Sequence, residues 1–167
     1  HMTEVFETAS RNTKDNDFVE GLVYSRDNAV IMTGTFTDEI KSDGHFNPIG
    51  RWYKPWFYKH AETYLKNEQS GFEYIPLRDY YHRHTRSYFW TMEEIIPFGN
   101  NPLFRCLLGW ALPPSIELLK YTETETTRRL REKFHVVQDM LMPIQYLKQS
   151  IQYFDNHFNL YPLWLSP

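Results

Sequence analysis

The sequence predicts an α+β domain: helices packed on a mixed or mostly antiparallel sheet of at least four strands, compatible with a ferredoxin-like core. Three observations predict it. Segments rich in Val, Ile, Phe and Tyr at 18–25 and 29–37 flank the turn-forming stretch Arg26-Asp27-Asn28, the pattern of a β-hairpin. After Pro55 and again after Pro143, apolar residues recur at steps of three and four, as on a helix with one buried stripe. Finally, 136–165 reads strand, helix, strand, an order that normally makes a right-handed crossover between parallel strands.

Each element has its own signal. His1-Met2 reads as a cloning scar, and residues 3–17 are polar without a hydrophobic period, so 1–17 is expected to be scar and linker. Residues 18–167 then form a single domain. In the hairpin, Val30, Met32 and Phe36 alternate with Ile31, Thr33, Thr35 and Thr37, which makes one face the more apolar. Gly44, Pro48 and Gly50 mark a loop over 38–50. Phe57, Ala61, Tyr64 and Leu65 form the stripe of the next helix.

The stretch 77–96 reads as mostly helical, with Leu77, Tyr81, Tyr88 and Met92 near one stripe and Arg78, His82 and Arg86 on another. Asn101-Pro102 has the form of an N-cap followed by Pro in the first turn. The run 103–112 is apolar apart from Arg105 and reads as a buried core helix with Cys106 as a small core residue. The alternative, that it dips into a membrane or walls a lipid pocket, stays open; it is too short to span a bilayer. Thr122 to Glu125 matches a capping box opening a helix to about Lys133. Residues 136–142 read as a strand, Ile144, Leu147, Ile151, Phe154 and Phe158 as a helix stripe, and 160–165 as the last strand.

Composition bounds the function. A net charge of −3 gives no general attraction to nucleic acid or anionic lipid. One cysteine forms no internal disulfide, and no apolar run approaches a membrane span, so the chain reads as soluble. Aromatic residues make up 17 %, which suits interfaces and apolar ligand sites as well as an aromatic core. No glycines are spaced as G-x-G, and there is no P-loop, C-x-x-C, H-E-x-x-H or G-x-S-x-G. A chain that binds its own nucleotide, a zinc site and a serine-hydrolase elbow are therefore not expected.

The densest polar constellation is 78–86, where Arg78, Arg83, Arg86, His82 and His84 are laced with Tyr80 and Tyr81 around Asp79. Such a segment steadies an anion or supplies protons near neutral pH, unless it is a solvated or inter-domain face. His82-x-His84 has the spacing of a metal pair on an extended segment but lacks further ligands nearby, so no metal is expected.

At these residues a resemblance enters. PLRDYYHRHTRS (76–87) and IPFGNNP (96–102) resemble stretches of the Diminuto/Dwarf-type Δ24-sterol reductases. So do VEGL (19–22), IMTG (31–34), YKPWF (53–57), HVVQDML (135–141) and YPLW (161–164). These collinear strings cover nearly the whole chain from about Phe18. The resemblance implies a longer parent with a FAD-binding domain of the vanillyl-alcohol-oxidase type, absent from this chain, and a second domain that caps the flavin and shapes the substrate pocket. This chain matches the second, cap domain.

The implied reaction is reduction of the sterol side-chain C24=C25 double bond by reduced FAD, with NADPH as electron source, at the endoplasmic-reticulum membrane on its cytosolic side. An alkene that no carbonyl polarises requires a positioned acid to protonate C24 and an apolar tunnel around C25. His82, His84, Tyr80 and Tyr81 are the expected proton donors or their positioners. Arg83 and Arg86 are expected to hold a cofactor phosphate or tie the cap to the flavin domain. Asn47, Lys59 and Asn100 are expected to support the substrate pocket, although packing explains them equally well. Two other readings stay open: a catalytically silent sterol-binding or protein-interaction module, and a FAD-linked oxidase acting on another substrate.

Overall fold

The computed structural model describes residues 1–42, 44–66, 70–111, 125 and 139–167. It is an α+β fold, and among these residues the strands form a three-stranded and a two-stranded sheet, with no sheet of four or more strands described. β1 (Phe18–Val23) is the central strand of the first sheet, antiparallel to β2 (Ala29–Gly34) on one side and to β5 (Leu163–Leu165) on the other. The hairpin register pairs Phe18 with Gly34 and Val23 with Ala29, and closes with Tyr24 and Ser25 N–H donating to the Asn28 carbonyl. The second sheet is a single parallel pair, β3 (His45–Phe46) and β4 (Glu73–Tyr74). A ferredoxin-like core is not among the described elements.

The expected linker is a helix. α1 (Met2–Arg11) packs against β1 and β2, burying Phe6. Met2, Val5, Phe6 and Ala9 fall at i, i+3, i+4 and i+7, the spacing of an amphipathic helix, and the outer face carries charged pairs such as Arg11 Nη2 with Glu7 at 2.9 Å. That pairing at i,i+4 supports the helix further.

α2 (Phe57–Lys66) forms as the spacing predicts and buries Phe57, Tyr58 and Ala61. On β1, residues two apart share a face, so Glu20 and Leu22 point the same way. Leu22 joins Trp56, Tyr58, Ala61 and Met92 in the core cluster. Gly99 permits the close fit of Trp56, because a Cβ there would come within 2.6 Å of the indole ring.

The stretch 77–96 is two short helices, α3 (Leu77–Tyr81) and α4 (Thr91–Ile95), joined by turns. Tyr88 and Phe89 have φ of 41° and 62°, a left-handed conformation costly for bulky residues, which no α-helix can run through. The break turns Phe89 onto the His84 ring, with centroids 4.6 Å apart and planes at 21°. Of the expected stripe only Met92 is buried: Leu77, Tyr81 and Tyr88 are exposed, whereas His84 and Ser87, outside it, are buried.

α5 (Pro102–Leu108) starts as predicted, with the Asn101 side chain accepting from Leu103 N–H at 2.9 Å. It is not a buried core helix. Leu103 is 69 % exposed and Trp110, in the 3₁₀ turn that follows, 71 %, and Cys106 is exposed as well. A run apolar all round carries no record of which side meets the core.

α6 (Leu147–His157) follows a 3₁₀ turn after Pro143. The predicted strand 136–142 lies partly outside the described residues, and 139–142 have no regular structure. The capping box at 122–125 also lies outside them, except for the helical Glu125. β5 runs antiparallel to β1, so the sheet gains its third strand by antiparallel pairing. No described helix is long and apolar enough to cross a membrane.

Candidate functional site

A carboxylate buried in the central strand organises the basic segment. Glu20 is 1 % exposed, and a bare carboxylate there would be severely destabilising. The turn after α3 meets it with two cationic or donor groups. Arg83 Nε donates to Glu20 Oε2 at 2.8 Å, and His84 Nε2 lies 2.7 Å from Oε1. The Tyr80 phenol also hydrogen-bonds Glu20. Burial by itself would raise the Glu20 pKa; the bond from His84 and the charge of Arg83 outweigh it and hold the carboxyl below its ordinary value. Burial and the nearby carboxylate push Tyr80 upward against the opposing charge of Arg83, so its phenol keeps its proton.

The geometry around His84 is aromatic. Phe89 stacks on its ring, Phe57 meets it edge-on at 5.5 Å and Trp164 of β5 at 5.7 Å. With Nε2 turned to Glu20, Nδ1 is the free ring nitrogen, and it is buried without a hydrogen-bond partner. Arg83 lies over the Tyr80 ring at 4.1 Å and gives Nη1–H to the Tyr80 carbonyl at 2.8 Å.

The structure therefore brings Tyr80, Arg83 and His84 together and separates them from their sequence neighbours. Tyr81 is 60 % exposed and touches Phe18 edge-on, and His82 is exposed at the end of α3. Arg86 points elsewhere: it donates to the carbonyls of Arg51, Lys54 and Pro55 at 2.5, 2.9 and 3.1 Å, clamping the loop before α2. Burial, then the charge of Arg105, brings its pKa down to about 10. Lys59 bridges Glu62 and Glu93 at 3.3 and 3.1 Å. Asn100 Oδ1 accepts from Trp56 N–H at 3.0 Å, holding the start of α2.

Asn47 stands in a second cluster that the sequence did not announce. Glu73 on β4 accepts Tyr64 O–H at 2.8 Å, Asn47 Nδ2–H at 2.9 Å and His60 Nε2–H at 2.9 and 3.0 Å. His60 and Tyr64 are four apart on α2, so both reach the same carboxylate. Asn47 follows β3 and is fixed by its N–H to Tyr74 carbonyl bond at 2.8 Å. The i,i+4 spacing of His60 and Tyr64 is the local signal of this cluster in the sequence; the glutamate lies beyond a loop. Burial works to raise the Glu73 pKa, but the bonds from His60, Asn47 and Tyr64 prevail and bring it to about 2.

That pKa has a consequence for acid stability. A folded value near 2 against an ordinary 4.5 means that ionised Glu73 stabilises the fold fully above about pH 4.5. The contribution is lost as pH falls from there toward 2. Glu73→Gln is expected to cost about 1.5–3 kcal/mol at neutral pH, the worth of hydrogen bonds to a charged group. It should also flatten the stability profile between pH 4.5 and 2, measured by urea unfolding across that range. A variant with the wild-type slope would remove Glu73 as its source.

Beside this cluster lies a pocket of about 90 Å³. It is far too small for a flavin dinucleotide, and both guanidinium groups proposed for a cofactor phosphate are committed to internal partners. No three or more His, Cys, Asp or Glu among the described residues cluster as a metal site.

Comparison with known proteins supplies the lineage. No family model matches the chain, and no solved structure matches it. The Delta(24)-sterol reductase of Homo sapiens is 58 % identical over 160 residues, covering 96 % of this chain and 31 % of that protein. That of Arabidopsis thaliana is 46 % identical over 158 residues, covering 93 % and 28 %. A Delta(24)-sterol reductase homologue of Caenorhabditis elegans is 46 % identical over 165 residues, covering 98 % and 31 %. This chain is a homologue of the Delta(24)-sterol reductases, corresponding to a segment of about 31 % of their length.

Proposed function

We propose that this chain is the substrate-covering domain of a flavin-dependent reductase that reduces the C24=C25 side-chain double bond of sterols with electrons from NADPH. The observation that carries this reading is the 58 % identity, over 96 % of the chain, to proteins named Delta(24)-sterol reductase. In this reading the parent works at the endoplasmic-reticulum membrane, facing the cytosol, and residues outside this chain hold most of the FAD. Residues 18–167 act as one cap domain, and α1 before them packs on the same sheet.

Reduction adds one hydride and one proton across the double bond; bound reduced flavin supplies the hydride. The chain's own part is the proton, the apolar contact and the exclusion of water. His84 suits the first task. Glu20 fixes Nε2 and so orients the ring, while the unpartnered Nδ1 is the nitrogen left to pass on a proton. Phe89 stacks on the ring while Phe57 and Trp164 meet it edge-on, so apolar rings enclose it and exclude water. Tyr80 and Arg83 hold Glu20 in place, so Arg83 acts as a positioning residue and Arg86 as a loop clamp. His82 and Tyr81, exposed beside this network, are the alternative donors.

The full-length protein tests the reading. With NADPH and a Δ24-sterol it should yield a product heavier by two hydrogens, with NADPH consumed in equal amount. Oxygen consumption with substrate oxidation would favour a flavin-linked oxidase. Sterol binding with neither reaction would favour a silent binding module.

A further inference from the structure

We propose that the pocket between the β3–β4 pair and α2 seats the ring hydroxyl of the sterol, with Asn47 Oδ1 as its acceptor; this rests on the sterol reading above. Three features of the pocket define the ligand chemistry. The first is the orientation of Asn47. Its Nδ2 lies 2.9 Å from the Glu73 carboxylate, and turning the amide over would set two acceptors against each other. Nδ2 also comes within 3.2 Å of His60 Nε2, where two donors converge on one carboxylate. The carbonyl Oδ1 is thereby left buried with no donor, on a side chain only 3 % exposed that lines the pocket. A buried acceptor of this kind calls for a donor from outside the chain.

The second feature is charge. Glu73 is held ionised, and its oxygens already accept four approaches from protein donors, so an anion is repelled and the carboxylate has little left to offer. Lys54 also lines the pocket and disfavours a cationic donor. A neutral hydroxyl is the donor that remains. Third, the pocket has two kinds of lining: apolar Ile49 and Pro55, and polar His60 and Glu73. Its volume of about 90 Å³ admits a hydroxyl with the edge of the ring that carries it, but not a whole sterol. An alcohol on an apolar skeleton matches both.

Direct binding to the full-length protein, read by displacement of a fluorescent sterol, tests this. Wild type should bind a 3-hydroxy sterol about tenfold more tightly than its 3-deoxy analogue, as expected when a buried acceptor loses its donor. Asn47→Ala should bring that ratio toward one by weakening the hydroxylated ligand, with the deoxy analogue within about twofold of wild type. His45→Trp, at the exposed rim of the pocket, narrows it without touching the Asn47 amide bonds and should also bring the ratio toward one. If Asn47→Ala fails to melt cooperatively, His45→Trp decides. A wild-type ratio near one, or a ratio unchanged in the folded variants, overturns the subsite. Turnover is scored separately. A protein that prefers the hydroxylated ligand but reduces nothing keeps the subsite and loses the reductase reading; indiscriminate reduction of both ligands does the reverse.

Discussion

Replacing His84 by Gln in the full-length protein is expected to lower turnover by about 10²–10⁴-fold, the usual worth of a positioned general acid. The amide keeps a donor for Glu20 and roughly the volume of the ring, so the pocket behind Phe89 and Trp164 stays filled. It cannot hold a transferable proton. Flavin absorbance should therefore remain while the rate of NADPH-dependent sterol reduction collapses. The pH dependence separates a proton donor from a packing residue: loss of the donor removes the titration of the rate, whereas mere loosening lowers the rate at every pH alike. Turnover unchanged in His84→Gln would strike His84 from the mechanism, and the same experiment on exposed His82 would then become decisive.

Glu20→Gln should be the most destabilising single change in the basic network. Glu20 is 1 % exposed and its principal partners, Arg83 and His84, are 14 % and 10 % exposed at the side chain. Removing one member of a buried pair leaves the other charge without compensation, a loss of about 3–5 kcal/mol. The guanidinium of Arg83 is also tied to the Tyr80 ring and carbonyl, which hold it beside the lost carboxylate. Because the folded Glu20 pKa is lowered, its stabilisation is present above the ordinary carboxylate value and fades as pH falls through the folded one. Guanidinium unfolding at neutral pH gives the magnitude. A loss under about 1 kcal/mol would mean that the carboxylate is solvated and the network is a surface pair.

The two results are linked. If Glu20 poises His84, Glu20→Gln should also slow turnover in whatever fraction stays folded, and less severely than His84→Gln, because the ring is still there. Equal losses would instead indicate that both act by supporting the fold. The Glu73 cluster provides an internal control: it anchors β4 to α2 through His60 and Tyr64 without touching the Glu20 network, and its loss should be felt in stability and hydroxyl preference.

Much of the fold was legible in the residues themselves. The 18–34 hairpin follows from β-branched runs around a turn, α2 from the Phe57–Ala61 stripe and α5 from the Asn101 cap, because each is decided by neighbours in sequence. The basic segment was singled out by composition, and His84, Tyr80 and Arg83 do meet there. The pattern failed where burial depends on distant partners. The helix stripe of 77–96 dissolves because Phe89 turns back onto His84. The exposed apolar run after Asn101 had no polar face to orient it.

The sequence by itself determined the class of fold, the helices and hairpin with local signals, the lack of nucleotide motifs, and the kinship with sterol reductases. The tertiary structure alone decided which polar residues act together. Glu20 and His84 are sixty-four residues apart, and Asn47 and Glu73 twenty-six. No local period encodes such pairs: a buried carboxylate must be compensated wherever the chain can deliver donors, and only the folded path of β1, α2 and the 82–90 turn determines where that is.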